Sequence, residues 1–150
     1  MASQKDLDKA YIDIACRWAE MSHARRLKVG CIVVKDNQII SDGFNGTPSG
    51  FDNNCEYPVP DHFTTKFVLK TKPEVLHAES NAITKLARST NSSVGSTMYL
   101  TCNPCFDCTK LIIQAGIVRV VYKDDYRLDE EIMQKSLVTL KRADIIVEKI

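Results

Sequence analysis

The spacing of apolar and polar residues predicts alternating helices and strands along most of the chain. Near the N-terminus, apolar side chains recur every three or four residues, which is the period of an amphipathic helix. These side chains are Leu7, Tyr11, Ile14, Trp18 and Met21. Ser3 with Asp6 three positions later resembles a helix start. We therefore expect a first helix that turns this aromatic stripe into the core.

Short apolar runs predict five β-strands. Residues 29–34 and 38–41 flank a polar turn at residues 35–38, which predicts a hairpin. The other strands are predicted at residues 97–101, 117–122 and 144–148, and helices at residues 77–88, from Pro104 to near Gly116, and at 130–140. The strand–helix–strand succession implies a right-handed parallel crossover. The predicted fold is α/β: a three-layer α/β/α arrangement with a mixed five-stranded sheet and helices on both faces.

Composition narrows the possible partners and compartments. The 150 residues, 44% of them hydrophobic, suit one domain spanning residues 1–150. The formal charge is only +1 and basic residues are scattered, which argues against a polymeric nucleic acid partner. No long apolar run or signal sequence is visible, so we expect a cytoplasmic protein that does not bind a membrane. In that reducing compartment, six cysteines favour metal binding and buried thiols over disulfides.

Two motifs point to one metal site. His77-Ala78-Glu79, followed by Pro104-Cys105-Phe106-Asp107-Cys108, matches the H-x-E and P-C-x-x-C pattern of the zinc nucleobase deaminases. Catalytic zinc takes three protein ligands and leaves one position for water, whose pKa it lowers from about 16 to about 7. We predict His77, Cys105 and Cys108 as ligands, with Glu79 transferring protons beside them. Both motifs also resemble helix starts, where exposed amides favour thiolates.

Other uses of these cysteines remain as alternatives. The C-x-x-C pair at a helix start is also typical of a thioredoxin-like redox site. Cys102, Cys105 and Cys108 match the spacing of three ferredoxin ligands, but the fourth position is Ile112. Neither alternative gives His77 and Glu79 a role, whereas the deaminase interpretation uses every residue of the pattern.

Residues 43–50 and the connection after them carry further candidate chemistry. Gly43, Gly46, Gly50 and Pro48 shape a loop that is either an ordinary connection or a place where backbone amides approach a phosphate or sugar. Residues 51–76 are long for a simple connection, which suggests a lid, an interface or a partly mobile segment. A second, structural zinc site would need isolated donors to converge, and we do not favour it. Those donors are His23, Cys55 and His62.

The full motifs resemble the deoxycytidylate (dCMP) deaminase family. The residues that carry the resemblance are His77-Ala78-Glu79-x-Asn81-Ala82-Ile83, Pro104-Cys105-x-x-Cys108-x-Lys110-x-Ile112-Ile113-x-x-Gly116-Ile117 and Gly43-Phe44-Asn45-Gly46-x-Pro48-x-Gly50. The likeness runs from about Tyr11 to Tyr126. It implies a cytidine-deaminase-like fold in a viral or bacterial member of the family.

The resemblance implies a reaction and assigns residues to it. Zinc held by His77, Cys105 and Cys108, with Glu79 as general acid and base, would convert dCMP to dUMP and ammonia and so feed thymidylate synthesis. Asn45 should contact the nucleoside, the Ala78 amide the pyrimidine carbonyl, and Tyr126 the base or sugar edge. Just before the first strand, Arg26 and Lys28 are candidates for the 5′-phosphate, or else solvated surface charges.

The resemblance also implies assembly and regulation. Family members are usually homohexamers, activated by dCTP and inhibited by dTTP with Mg²⁺. A regulatory site would be expected at the loop of Gly43, Gly46 and Gly50. Arg88 lies eleven residues after His77, within about 20° of its helix face and about 16 Å further along, where it could meet a nucleotide or a neighbouring subunit. Asn103 departs from the apolar or small residue that is more usual before the Pro-Cys pair.

Related activities remain open. A transfer-RNA adenosine deaminase would use the same metal chemistry but normally has a basic surface for RNA. A deaminase of free cytidine would not account for a phosphate-friendly loop near Arg26 and Lys28. A zinc-dependent nucleotide sensor without turnover would not need Glu79.

Overall fold

The computed structural model describes residues 1–126 and 130–150. Its helices are α1 (Gln4–Ala19), α2 (Ala78–Ala87), α3 (Phe106–Gln114) and α4 (Glu130–Arg142). Its strands are β1 (Gly30–Lys35), β2 (Gln38–Phe44), β3 (Glu56–Pro60), β4 (Phe67–Thr71), β5 (Thr97–Cys102), β6 (Arg119–Asp124) and β7 (Ile146–Lys149). In the described part of the chain, no helix has the length and apolar character needed to span a membrane.

Five strands form one mixed sheet in the order β2-β1-β5-β6-β7. Strand β1 runs antiparallel to β2 and β5, whereas β6 runs parallel to β5 and β7. The β5–α3–β6 unit is therefore the parallel crossover that the sequence predicts. The expected mixed five-stranded sheet is confirmed.

Alternating residues of β1 supply the two sides of the core. Cys31 and Val33 pack in a cluster with α2, α3 and α4, whereas Ile32 and Val34 pack in a second cluster with α1. This follows from the two-residue period of a strand, which sends successive side chains to opposite faces. The result is a three-layer molecule with helices on both faces of the sheet, as predicted.

The buried face of α1 includes Leu7, Tyr11 and Ile14 of the predicted stripe but not its other two residues. Trp18 and Met21 are exposed, and Met21 lies beyond the end of the helix. The helix also buries Ile12, Ala15 and Ala19. The physical reason is a close approach to β1, where a Cβ on Gly30 would lie 1.9 Å from the carbonyl oxygen of Ala15. Small residues therefore face the sheet, and the expectation for Trp18 and Met21 was wrong.

The hairpins also refine the sequence prediction. Asp36 and Asn37 both have positive φ, as a two-residue turn between β1 and β2 requires, and β2 continues to Phe44 rather than ending at residue 41. The long connection after residue 50 contains an unpredicted second hairpin, β3 paired antiparallel with β4. We call residues 56–71 the β3–β4 arm.

A buried ion pair joins α1 to β6. Arg119 donates from Nη1 to Asp8 Oδ1 at 2.9 Å and from Nη2 to Asp8 Oδ2 at 2.7 Å. Tyr99 Oη donates to the same carboxylate at 2.7 Å, and Arg119 also pairs with Glu148. The hydrogen bonds from Arg119 outweigh burial and lower the pKa of Asp8 to about 2. The pair thus connects α1 on one face of the sheet to β5, β6 and β7.

We predict that Asp8→Ala lowers the free energy of unfolding by about 3 kcal/mol, because it leaves the partly buried Arg119 charge with Glu148 as its remaining partner. In the wild type, the depressed pKa of Asp8 contributes stability above about pH 4 that is lost as the pH falls toward 2. Urea unfolding between pH 3 and 7 measures both effects. Asp13→Ala, which removes an exposed carboxylate from the same helix, is the control. Equal stability of the two variants at pH 7 would contradict the prediction.

Candidate metal centre

The starts of two helices bring three potential zinc ligands together. His77 is the N-cap of α2, Cys105 is the N-cap of α3, and Cys108 lies in the first turn of α3. Both cysteine sulfurs approach His77 Nδ1, at 3.4 Å from Cys105 Sγ and 3.3 Å from Cys108 Sγ. All three ligand atoms lie within 4.8 Å of one another. The predicted convergence of the two motifs is present in the fold.

The spacing and chemistry of these three donors fit zinc. A tetrahedral zinc ion with bonds of about 2.3 Å to sulfur and 2.0–2.1 Å to nitrogen separates such ligands by about 3.6 Å. Hydrogen bonds from Cys108 and His77 hold the pKa of the Cys105 thiol below its usual value. The hydrogen bond with Cys105 and the burial of the thiol both raise the pKa of Cys108. A cation between them would stabilise both sulfurs as thiolates.

No second cluster of metal donors lies within residues 1–126 and 130–150. Cys55 is buried, and its sulfur donates to the backbone oxygen of Asn53. His23 and His62 are exposed on separate segments. The described residues therefore contain one group suited to a metal.

Glu79 lies in the first turn of α2, beside the three donors. Its side chain is 4% exposed, and burial raises the pKa of its carboxyl group to about 7. The carboxyl group also contacts the Cys108 thiol. Glu79 is not part of the donor cluster, and its carboxyl group is shielded from solvent. This position suits it to proton transfer.

A cavity opens directly onto this cluster. Four residues of the two predicted motifs line the cavity, together with Tyr126. They are His77, Ala78, Glu79 and Cys105. Ala78 is the first residue of α2, so its backbone N–H has no acceptor within the helix and is available to a ligand. The predicted roles of Ala78 and Tyr126 are compatible with these positions.

The other predicted substrate residues divide between the cavity and its surroundings. Asn45 lines the cavity, but its amide also accepts from the Val29 N–H at 2.9 Å and donates to the Leu27 carbonyl at 2.8 Å. Arg26 lines the cavity as well. Lys28 is exposed and lies along a neighbouring groove that Arg26 and Tyr126 also line. Arg26 is therefore better placed than Lys28 for a group bound in the cavity.

Three polar residues of the cavity wall received no role in the sequence analysis: Glu56, Thr71 and Asn103. Glu56 is 1% exposed and comes from the β3–β4 arm, which no motif identified. Asn103 accepts from the Tyr126 N–H at 2.5 Å, and its Nδ2 is the one buried side-chain polar atom without a hydrogen-bond partner among the described residues. Its departure from the usual residue before Pro104 was the available signal. No comparable signal marked Glu56.

The residues proposed from sequence for regulation lie outside the cavity wall. Gly43 is in β2 against α2, Gly46 pairs with Leu76 in an isolated bridge, and Gly50 follows in the loop. Arg88 is exposed at the C-cap of α2, at the far end from His77. The bridge from Gly46 to Leu76 connects the loop to the residue just before His77.

Comparisons with known proteins find similarity to deaminases that act on cytidine and deoxycytidylate. Residues 5–124 match the family model for the cytidine and deoxycytidylate deaminase zinc-binding region. The deoxycytidylate deaminase of Enterobacteria phage T4 is 35% identical to this chain, and the match covers 77% of this chain and 76% of the phage enzyme. The deoxycytidylate deaminase of Mycobacterium phage D29 is also 35% identical, and that match covers 80% of this chain and 96% of the phage enzyme. The structure of dCMP deaminase from cyanophage S-TIM5 in complex with dCMP and dUMP is 38% identical, with a TM-score of 0.84 over 99% of this chain and 100% of that one.

We predict that Gly43→Ala impairs both folding and zinc binding. The added Cβ would lie 2.3 Å from the Ala78 carbonyl oxygen and 2.8 Å from the Ala82 nitrogen, so α2 must move away from β2. We expect a loss of about 2 kcal/mol in unfolding free energy, as for other overpacked sites, and at least about tenfold weaker zinc binding.

Gly46→Ala is the matched control, because nothing lies within 4 Å of its added Cβ. Chemical unfolding and competition with a chromogenic zinc chelator measure the two quantities. Unchanged zinc affinity in Gly43→Ala would show that the contact between β2 and α2 does not hold His77 in place.

Proposed function

This chain belongs to the cytidine and deoxycytidylate deaminase family, and we propose that it hydrolyses dCMP to dUMP and ammonia. The observation that carries the proposal is the meeting of His77, Cys105 and Cys108 beside a buried Glu79 at one cavity. The similarity to phage enzymes named for this activity supports dCMP as the substrate. One water is consumed for each ammonia released.

The residues of the cluster have separate tasks in this proposal. His77, Cys105 and Cys108 hold zinc, which when bound makes water a stronger nucleophile near neutral pH. Glu79 accepts a proton from the attacking water and delivers it to N3 of the pyrimidine. The hydroxide that remains from the water adds to C4 of the pyrimidine. Glu79 then takes the proton of the new C4 hydroxyl group and passes it to the amino group, so that the C4–N bond breaks, ammonia leaves and C4 becomes a carbonyl. Burial shields this carboxyl group from bulk water, which would otherwise compete for the same protons.

The remaining wall of the cavity orients the nucleotide. The Ala78 N–H at the start of α2 donates to the pyrimidine carbonyl, Asn45 contacts the nucleoside, and Tyr126 lies against the base or sugar edge. Arg26 binds the 5′-phosphate, since it is the basic residue of the cavity wall within the described chain. Lys28, on the neighbouring groove, adds long-range attraction for the phosphate.

The proposal extends to assembly and regulation. We infer a homo-oligomer, with a hexamer favoured, and regulation by dCTP as activator and dTTP with Mg²⁺ as inhibitor. Exposed apolar side chains on the β3–β4 arm, including Phe63 and Phe67, suit contacts between subunits. A nucleotide at the loop of Gly43, Gly46 and Gly50 could act on His77 through the bridge to Leu76. Arg88, exposed at the end of α2, would meet such a nucleotide or a neighbouring subunit.

We predict that Glu79→Ala retains one zinc per chain but loses about 10²–10⁴-fold or more in kcat, because the proton carrier is removed while the three ligands remain. His77→Ala should lose both zinc and activity. Glu74→Ala, an exposed carboxylate before the helix, is the control and should behave as wild type. Metal analysis and dCMP turnover measure these outcomes. Normal turnover by Glu79→Ala would exclude its role as proton carrier.

A substrate panel tests the specificity. We expect dUMP from dCMP, with far less turnover of cytidine or transfer RNA, and a rate that rises with dCTP and falls with dTTP and Mg²⁺. Loss of cytosine absorbance follows the deamination of dCMP and cytidine, inosine in the digested transfer RNA reports the deamination of adenosine, and sedimentation with and without dCTP reports the assembly. Turnover of cytidine or transfer-RNA adenosine in preference to dCMP would select one of the rival deaminases. Binding of dCMP or dCTP without any product would select a nucleotide sensor.

A further inference from the structure

The β3–β4 arm reaches the substrate cavity through one buried carboxylate, that of Glu56. Its Oε1 atom accepts from two consecutive backbone N–H groups, those of Arg25 at 2.7 Å and Arg26 at 3.1 Å. Its Oε2 atom faces the Arg25 side chain, with Nε at 3.4 Å. Glu56 therefore fixes the direction of the backbone at Arg25 and at Arg26, the residue proposed to bind the phosphate.

The second strand of the arm holds the side chain of Arg26. Arg26 Nη1 donates to Thr71 Oγ1 at 3.2 Å, and Thr71 also lines the cavity. This bond uses one of the five N–H donors of a guanidinium group, which leaves others for a bidentate contact with phosphate oxygens. The arm thus holds Arg26 at two points, by its backbone through Glu56 and by its side chain through Thr71.

Glu56 is unsuited to bind the nucleotide phosphate itself. Burial raises the pKa of its carboxyl group, but the backbone hydrogen bonds from Arg26 and Arg25 outweigh that effect and leave the pKa below its usual value. A carboxylate repels a phosphate, and the hydrogen bonds of both its oxygens go to Arg25 and Arg26. Glu56 therefore lies in the cavity wall because it binds Arg25 and Arg26, and not because it binds a ligand.

We propose that Glu56 is a positioning residue that, together with Thr71, holds Arg26 for the 5′-phosphate of a nucleoside monophosphate. In this proposal, residues of the β3–β4 arm determine how tightly Arg26 binds the phosphate. The inference rests on the proposed function, since it needs a nucleotide bound in the cavity.

A double-mutant cycle tests this role. Arg26→Ala, Glu56→Ala and the double variant are compared by KM and kcat for dCMP. We expect each single variant to raise KM by about tenfold or more with little change in kcat, since the lost contact is made equally in the ground and transition states. If Glu56 acts only through the Arg26 side chain, the double variant has the KM of Arg26→Ala alone.

Glu56→Gln is a conservative substitution that should restore the KM for dCMP. Its amide oxygen can still accept from the N–H groups of Arg25 and Arg26, so its KM should return to within about threefold of wild type. Thr71→Val replaces Glu56→Ala in the cycle if the latter does not fold by circular dichroism. Lys70→Ala, an exposed change on the same strand, is the control for the arm and should leave KM unchanged.

The outcomes separate the inference from the proposed function. An absence of dCMP turnover in the wild type would overturn both. With an active wild type, multiplicative effects of Glu56→Ala and Arg26→Ala on KM would overturn the positioning role, because Glu56 would then act on the nucleotide independently. An unchanged KM in Glu56→Ala, or no rescue by Glu56→Gln, would overturn it as well.

Discussion

The site depends on one geometric constraint: the first turns of two helices must meet around a single cation. His77 caps α2 and Cys105 caps α3, so the metal ligands lie where exposed N–H groups and the helix dipoles favour negative charge. The same constraint provides the Ala78 N–H and keeps Glu79 buried in the first turn beside the donors. A shift of either helix start would separate the ligands, the proton carrier and the base-binding amide together.

The sheet enforces this meeting through close contacts and through the end of β5. Strand β2 approaches α2 closely at Gly43, and β1 approaches α1 at Gly30, so both helices are fixed against the sheet at short distance. Strand β5 ends at Cys102, and Cys105 follows it at the start of α3 beside His77. The ion pair between Asp8 and Arg119 joins α1 to β6, which stabilises the sheet away from the cavity.

Local patterns predicted most of the fold and the metal donors, because a helix start, a hairpin turn and a ligand motif are each specified by neighbouring residues. Asp36 and Asn37 take the positive φ values of the predicted turn, and both motifs cap helices. Long-range packing was not specified in this way. The rotation of α1 that exposes Trp18 depends on Gly30, and the role of Glu56 depends on a hairpin that meets Arg25 and Arg26 only after folding.

The central claim, one zinc ion held by one histidine and two cysteines, is tested most directly by zinc K-edge X-ray absorption of the purified protein. The account predicts two sulfur ligands at about 2.3 Å and two lighter ligands at about 2.0–2.1 Å, one of them from His77 and the other from water. His77→Ala, which should not retain the metal, should show no protein-bound zinc at the same edge. A sulfur-only shell, or a shell without sulfur, would contradict the account.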